Sequence, residues 1–241
     1  MKSKSLIRVV GSNSRGNSYI LECGDEKLLL ELGVDFKQVL RVLNYDLTNV
    51  RACLVSHQHT DHAKHVPSAK KHGIPVYSCQ EVANKYDGVA VLELGKKTKI
   101  GSFTVQPIEV PHSCQCYAFL IEHEAMGRLL FCTDCERFGY RIKNLNHICI
   151  EANWDEEVLI DNMCDDMEIR SRFEHHMELN NTILALKTNY GASLQTVCLV
   201  HLSSGNADPK KFKKRVVEEL GFNNVWVCES GLEVELSKDE F

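Results

Sequence analysis

The feature that most narrows what this chain can become is the run His57-Gln58-His59-Thr60-Asp61-His62, which follows the apolar segment Ala52 to Ser56 and precedes a helical pattern. It sets three imidazoles and a carboxylate, all hard or borderline metal donors, at the end of a strand. Regular structure cannot aim all four side chains the same way. In a loop passing from a strand into a helix, His57 and His59 can face one cation while Asp61 and His62, on the first helical turn, face a second. The bland alternative is a polar surface loop with Asp61 as a helix cap. It accounts for His65 and His72, but a loop needs one cap and gains nothing from three imidazoles packed together.

The rest of the pattern places that run in an α/β framework. Ser5 to Val10, Ser18 to Cys23 and Lys27 to Glu31 read as a meander of three strands, with a tight Gly24-Asp25 turn between the last two. Phe36 to Leu43 has helical spacing, Ala52 to Ser56 is a short buried strand, His62 to His72 reads as one helix ending at Gly73, and Ile74 to Tyr77 is a strand. Val89 to Leu94, Lys97 to Ile100, Phe103 to Val110, Tyr117 to Glu122 and Arg128 to Cys132 predict a mostly antiparallel sheet. After the strand His147 to Glu151, helical patterns fill Asp155 to Lys187. A strand follows at Thr196 to Val200, and a helix at Pro209 to Leu220 is capped by Asp208. Val225 to Cys228 and Leu232 to Leu236 close the chain. No linker divides the sequence, so residues 1-241 are expected to form a single domain.

Three further donors recur at strand ends: His112 after Phe103 to Val110, Asp134 after Leu129 to Cys132, and His201 after Thr196 to Val200. A lone histidine there is usually structural; their common placement at carboxyl ends, where α/β sites gather, is the persuasive point. Cys114-Gln115-Cys116 beside His112, and Cys132 and Cys135 around Asp134, can be read as a separate zinc site, but packed thiols are the favoured reading because Cys-x-Cys is not the usual structural-zinc spacing. The eleven cysteines have no framework spacing and point to reduced thiols. With no leader-like core and no apolar run of about 20 residues, the expectation is a cytoplasmic protein with no membrane partner. The net charge of −5 argues against a broad nucleic-acid footprint, although Lys210-Lys211-Phe212-Lys213-Lys214-Arg215 is locally basic.

In the order His-x-His-x-Asp-His, later His, later Asp, final His, the chain resembles the metallo-β-lactamase superfamily, with Glu31 where that family usually has an aspartate. The resemblance implies a four-layer αββα sandwich. It also implies one metal held by His57, His59 and His112, a second by Asp61, His62 and His201, and Asp134 bridging them. Residues Gly11 to Ser18, Glu151-Ala152-Asn153-Trp154-Asp155 and His201-Leu202-Ser203-Ser204-Gly205-Asn206 are similar to the YycJ/WalJ-like branch, whose members are regarded as nucleases acting on DNA. Trp154 stands where that branch commonly has a histidine.

Two divalent cations, with zinc favoured over manganese or iron, fit a dinuclear hydrolase in which a metal-bridging hydroxide attacks a phosphodiester. The resemblance implies that Asp61 orients the water or accepts its proton, while His176 reads either as a donor to the leaving oxygen or as a helix-surface residue. The expected partner is nucleic acid, DNA rather than RNA, and the expected activity is that of a nuclease. The alternatives are hydrolysis of a small ester, thioester, lactone or cyclic nucleotide, or a metal-binding regulatory protein. The Ser12 to Ser18 stretch reads equally as a phosphate cradle or a polar turn, and Trp154 as a core residue rather than a base-stacking one.

Overall fold

A computed structural model describes residues 5–161, 174–236 and 238 of the chain. The amino-terminal meander forms as its alternation predicts: β1 (Ser5–Asn13), β2 (Gly16–Cys23) and β3 (Glu26–Leu30) pair antiparallel in that order. β1 runs further than the sequence predicts, so the polar stretch expected to be a loop is the end of a hairpin in which Ser12 faces Asn17. Ser12, Asn17 and Ser18 are buried there. Ser12 Oγ accepts from the Tyr19 hydroxyl at 2.8 Å, and the Asn17 side-chain amide nitrogen donates to Asn13 O at 3.1 Å, which offsets the cost of burying those groups.

After α1 (Phe36–Val42), whose cap Asp35 accepts from Lys37 N, the strand β4 (Val50–Leu54) pairs parallel to β3. The helix expected over His62 to His72 is instead two, α2 (Thr60–Ala63) and α3 (Val66–Lys71). Pro67 supplies no N–H and its ring opposes the carbonyl four residues back. The His65 amide leaves the helical ladder to donate to Leu32 O at 2.8 Å. β5 (Val76–Ser78) follows, then a short helix that the sequence reading omitted, α4 (Gln80–Lys85). β6 (Ala90–Val91) is only two residues long where a strand over Val89 to Leu94 was expected.

The second sheet opens with the antiparallel run β7 (Thr98–Ile100), β8 (Phe103–Val110), β9 (Cys116–His123) and β10 (Gly127–Cys132). Parallel strands β11 (His147–Glu151), β12 (Thr196–Val200) and β13 (Val225–Val227) extend it. The helical pattern over Asp155 to Lys187 contains α5 (Glu156–Asp161) and α6 (Leu179–Asn189), with 162–173 outside the described residues. α7 (Pro209–Leu220) forms as predicted, Asp208 accepting from Lys210 N and Lys211 N. Finally β14 (Glu233–Glu235) crosses back to pair with β1.

The two seven-stranded sheets have the orders β14-β1-β2-β3-β4-β5-β6 and β13-β12-β11-β10-β9-β8-β7. Between them lies one apolar layer that includes Tyr19, Phe103, Phe119 and Phe131, the rings of Tyr19 and Phe131 meeting edge-on at 5.2 Å. The same layer continues to Phe36 and Val39 of α1, Val66 of α3 and Val82 of α4 outside the first sheet. The outer face of the second sheet is covered separately, Ile148, Ile150 and Leu199 packing with Leu186 of α6 and Phe212 of α7. Along β12 the side chains split cleanly: Cys198 and Val200 belong to the inner layer, Val197 and Leu199 to the outer one. A strand covered on both faces reads as continuously apolar, which is why Thr196 to Val200 was legible. The result is the αββα sandwich. β8, β10, β11 and β12 point the same way in their sheet, and their carboxyl ends, with that of β4, supply the side chains described next.

Candidate metal centre

His57 leaves β4 fully buried, and its Nδ1 is 2.8 Å from Ser56 Oγ, so Nε2 faces inward. His112 donates through Nδ1 to His175 O at 2.8 Å, which turns its Nε2 the same way. Both inward nitrogens approach His59 Nδ1, at 2.9 Å from His57 and 3.2 Å from His112. That spacing is close to the ~3.3 Å expected between nitrogens that share one zinc at ordinary bond lengths. Cys114 joins these histidines, all four ligand atoms lying within 4.8 Å of one another.

The second group is Asp61, His62, Asp134 and His201. His62 directs Nδ1 toward Glu31 Oε2 at 3.3 Å and Nε2 toward Asp61 Oδ2 at 3.3 Å and Asp134 Oδ1 at 3.2 Å. His201 Nδ1 lies 2.9 Å from Glu151 Oε1 and 2.8 Å from Asp134 Oδ1. Its Nε2 is buried, makes no hydrogen bond, and stands 3.5 Å from Asp61 Oδ2. An inward-facing buried nitrogen beside a carboxylate is what a divalent cation would satisfy, so these donor sets fit such ions. Asp134 belongs to both neighbourhoods: Oδ1 faces His62 and His201, while Oδ2 lies 3.6 Å from His57 Nε2 and 3.8 Å from His112 Nε2.

A third group, Asp134, Glu151, His176 and His201, overlaps the second. Glu151 is fully buried, accepts from the backbone amides of Cys135 at 2.8 Å and Met177 at 3.1 Å, and holds His176 Nδ1 at 2.8 Å. In the sequence Glu151 stands as a strand end and as the start of the Glu151-Ala152-Asn153-Trp154-Asp155 segment, with no role among the metal donors. The available signal was a carboxylate closing an otherwise apolar strand, since a buried charge requires partners. His176, expected near the reacting groups, is there: its side chain is 23% exposed and its Nδ1 is 4.0 Å from Asp134 Oδ2.

The electrostatics divide the histidines. Burial pushes His57, His59 and His112 below the ordinary imidazole value. Burial opposes charge on His62 and His201 too, but the Asp134 carboxylate outweighs it and holds both well above that value. Against the cost of burial, His201 and His62 in turn keep Asp61 and Asp134 well below the usual carboxylate range. Burial also opposes charge on His176, but its bond to Glu151 prevails and raises it.

Supporting groups come from the hairpin and from β3. Ser12 Oγ accepts from the His201 amide at 2.9 Å, and Asn17 Nδ2 lies 3.0 Å from His62 Nε2 and 3.4 Å from Asp61 Oδ2. The Ser12 to Ser18 stretch therefore buttresses the site, at least through these two side chains. Gly33 lies so close to the Asp61 loop that a Cβ there would sit 1.5 Å from Asp61 O. Trp154 donates its indole N–H to His176 O at 3.2 Å. Glu31, Asp134 and His201 all adopt left-handed backbone, with φ of 64°, 47° and 55°. Non-glycine residues rarely do so, and such conformations gather at functional sites.

Two cavities flank the centre. One of about 660 Å³ is lined by His112, Cys114, Glu81, Gln115 and Tyr140. The other, about 370 Å³, includes Gly33, Arg15, Lys64, His65 and Asp35. The basic run on α7 is partly neutralised: Lys211 pairs with Glu157 at 2.8 Å, Arg215 with Asp155 at 3.3 Å and Lys214 with Glu218 at 3.8 Å. Among the described residues all the cysteines are free, and Cys116, Cys132 and Cys135 are buried as packed thiols; Cys114 is not. No helix among the described residues is long and apolar enough to cross a membrane.

The sandwich and the donors at its strand ends define a metallo-β-lactamase fold. The metallo-β-lactamase fold protein YhfI from Bacillus subtilis superposes with a TM-score of 0.77 over 97% of this chain and 100% of that one, at 18% identity. In sequence the chain is 28% identical over 173 residues to the exodeoxyribonuclease WalJ of Streptococcus pneumoniae, covering 63% of each protein. It is 26% identical over 168 residues to the exodeoxyribonuclease YycJ of Bacillus anthracis, covering 63% of this chain and 64% of that one. The match thus spans less than two thirds of either relative. Residues 10–68 match the family described as Anti-Pycsar protein Apyc1. The chain thus has the metallo-β-lactamase fold and is similar in sequence to the exodeoxyribonucleases WalJ and YycJ.

Proposed function

We propose that residues 1-241 form one dinuclear metal-dependent phosphodiesterase domain, acting as a nuclease on DNA. The observation that carries this reading is Asp134, whose two carboxylate oxygens face different histidine sets, Oδ1 toward His62 and His201 and Oδ2 toward His57 and His112. In this reading His57, His59 and His112 hold one cation, Asp61, His62 and His201 a second, and Asp134 both. Such a pair of cations, zinc in preference to manganese or iron, lowers the pKa of an attacking water and offsets the charge of a phosphodiester.

The chain's own groups divide the remaining work. Asp61 is an ionised acceptor placed to orient the water and receive its proton. His176, kept protonated by Glu151, is the donor to the leaving oxygen. Arg15 and Lys64 in the 370 Å³ cavity give a polyanionic strand a cationic contact beside Gly33 and the Asp61 loop. The DNA assignment is also supported by the names of WalJ and YycJ.

The test is incubation with labelled single- and double-stranded DNA and RNA, with and without chelator, beside Asp61→Ala. Chelator-sensitive release of nucleotides from DNA, lost in the variant, is the expected result. Metal-loaded protein that leaves every nucleic acid intact yet hydrolyses bis-p-nitrophenyl phosphate or a thioester would overturn the nuclease assignment.

A further inference from the structure

A thiol lies beside the three histidines of the first set. One ligand atom from each of Cys114, His57, His59 and His112 lies within 4.8 Å of the others, and Cys114 Sγ stands 3.9 Å from His59 Nε2, the ring nitrogen other than the one that His57 and His112 approach. Of the described cysteines Cys114 alone is not buried. The Cys-x-Cys pair is divided: Cys116 is fully buried and its thiol donates to Asp134 O at 3.4 Å, whereas Cys114 lines the 660 Å³ cavity beside His112. Its thiol therefore borders both the histidine group and that cavity.

We propose that Cys114 is a further protein ligand, beside Asp134, to the cation held by His57, His59 and His112, adding one thiolate to this half of the centre. The inference rests on the metal-binding reading above. As the sulfur–metal bond forms, the thiol proton leaves to solvent. Thiolate selects zinc-like cations over hard ones, whereas the second group offers carboxylates and imidazoles and no sulfur. The two halves therefore differ in the cation they prefer.

The experiment strips the full chain with chelator under reducing conditions and reloads it with Co²⁺. The native chain is expected to show visible d–d bands together with a near-ultraviolet sulfur-to-cobalt charge-transfer band. Cys114→Ser should keep the d–d bands and lose the charge-transfer band, while Cys79→Ser, which alters a buried thiol outside the group, keeps both. Visible bands with no charge-transfer band in the native chain, or a band that survives Cys114→Ser, overturns the proposal and leaves the metal reading standing. A chain that takes up no cobalt sinks both. Iodoacetamide labelling of the native chain, mapped by peptide mass, decides the matter without any variant. Protection of Cys114 by Zn²⁺ supports the ligand, and labelling that Zn²⁺ does not change overturns it.

Discussion

The two donor sets lie side by side, yet they are built on opposite electrostatic plans. His57, His59 and His112 are fixed largely by neutral partners, such as the Ser56 hydroxyl and the His175 carbonyl, and burial keeps them from taking a proton. His62 and His201 are wedged among Glu31, Asp61, Asp134 and Glu151, whose charge holds protons on them. The difference teaches that carboxylate placement, rather than histidine burial, decides the state in which each ligand waits. One half is ready to donate lone pairs; the other is a closed network of ion pairs that a cation must enter by displacing protons.

Asp134 is the residue that ties the halves together, so Asp134→Asn should break the comparison most severely. DNA hydrolysis should fall by about 10³-fold, the scale of losing one preorganised electrostatic group. Elemental analysis should find less metal in both halves; loss from one half alone would contradict the shared role. Gly33→Ala should be milder and one-sided. Its Cβ would meet Asp61 O at 1.5 Å, displacing Asp61 and His62 but not His57. Activity should drop by about 10²-fold, as for a misplaced reacting group, with the first metal retained.

His147 tests the burial rule away from the site. It is fully buried with a single carbonyl partner, Met126 O at 3.1 Å, and burial pushes it from 6.5 down to about 4. The unfolded chain therefore binds the extra proton first, so this contribution to stability is full above pH 6.5 and is lost as pH falls toward 4. Between pH 7 and pH 5, urea unfolding of chelated native protein should lose about 2 kcal/mol more than that of His147→Gln. Equal slopes would show that burial without a carboxylate does not suppress the charge. The smallest effect is expected from Glu151→Gln, which keeps the shape and removes the charge behind His201 and His176. Zinc affinity of the second half should weaken by about tenfold, measured by competition with a chromophoric chelator, with the first half unchanged.

Local chemistry was readable from the sequence; chemistry assembled across the chain was not. Phe103–Val110, His147–Glu151, Thr196–Val200 and Pro209–Leu220 appear where periodicity and capping place them, because neighbours in sequence dictate them. The histidine run and the donors at strand ends announced themselves by residue type. The break between α2 and α3 was hidden because the carbonyl that captures His65 N belongs to Leu32. The role of Glu151 behind the histidines was hidden because its imidazole partners lie 25 and 50 positions away. Cys114 looked like half of a packed pair because only the fold turns its thiol toward His59.

The left-handed backbone at Glu31, Asp134 and His201 has a practical consequence for anyone dissecting the centre. At these positions alanine is a poor deletion: it removes the functional group but leaves a Cβ in a conformation that costs about 1 kcal/mol. Glycine removes the group and relaxes the chain at once. Comparing the two replacements at one position therefore separates what the side chain contributes to chemistry from what its backbone stores as strain.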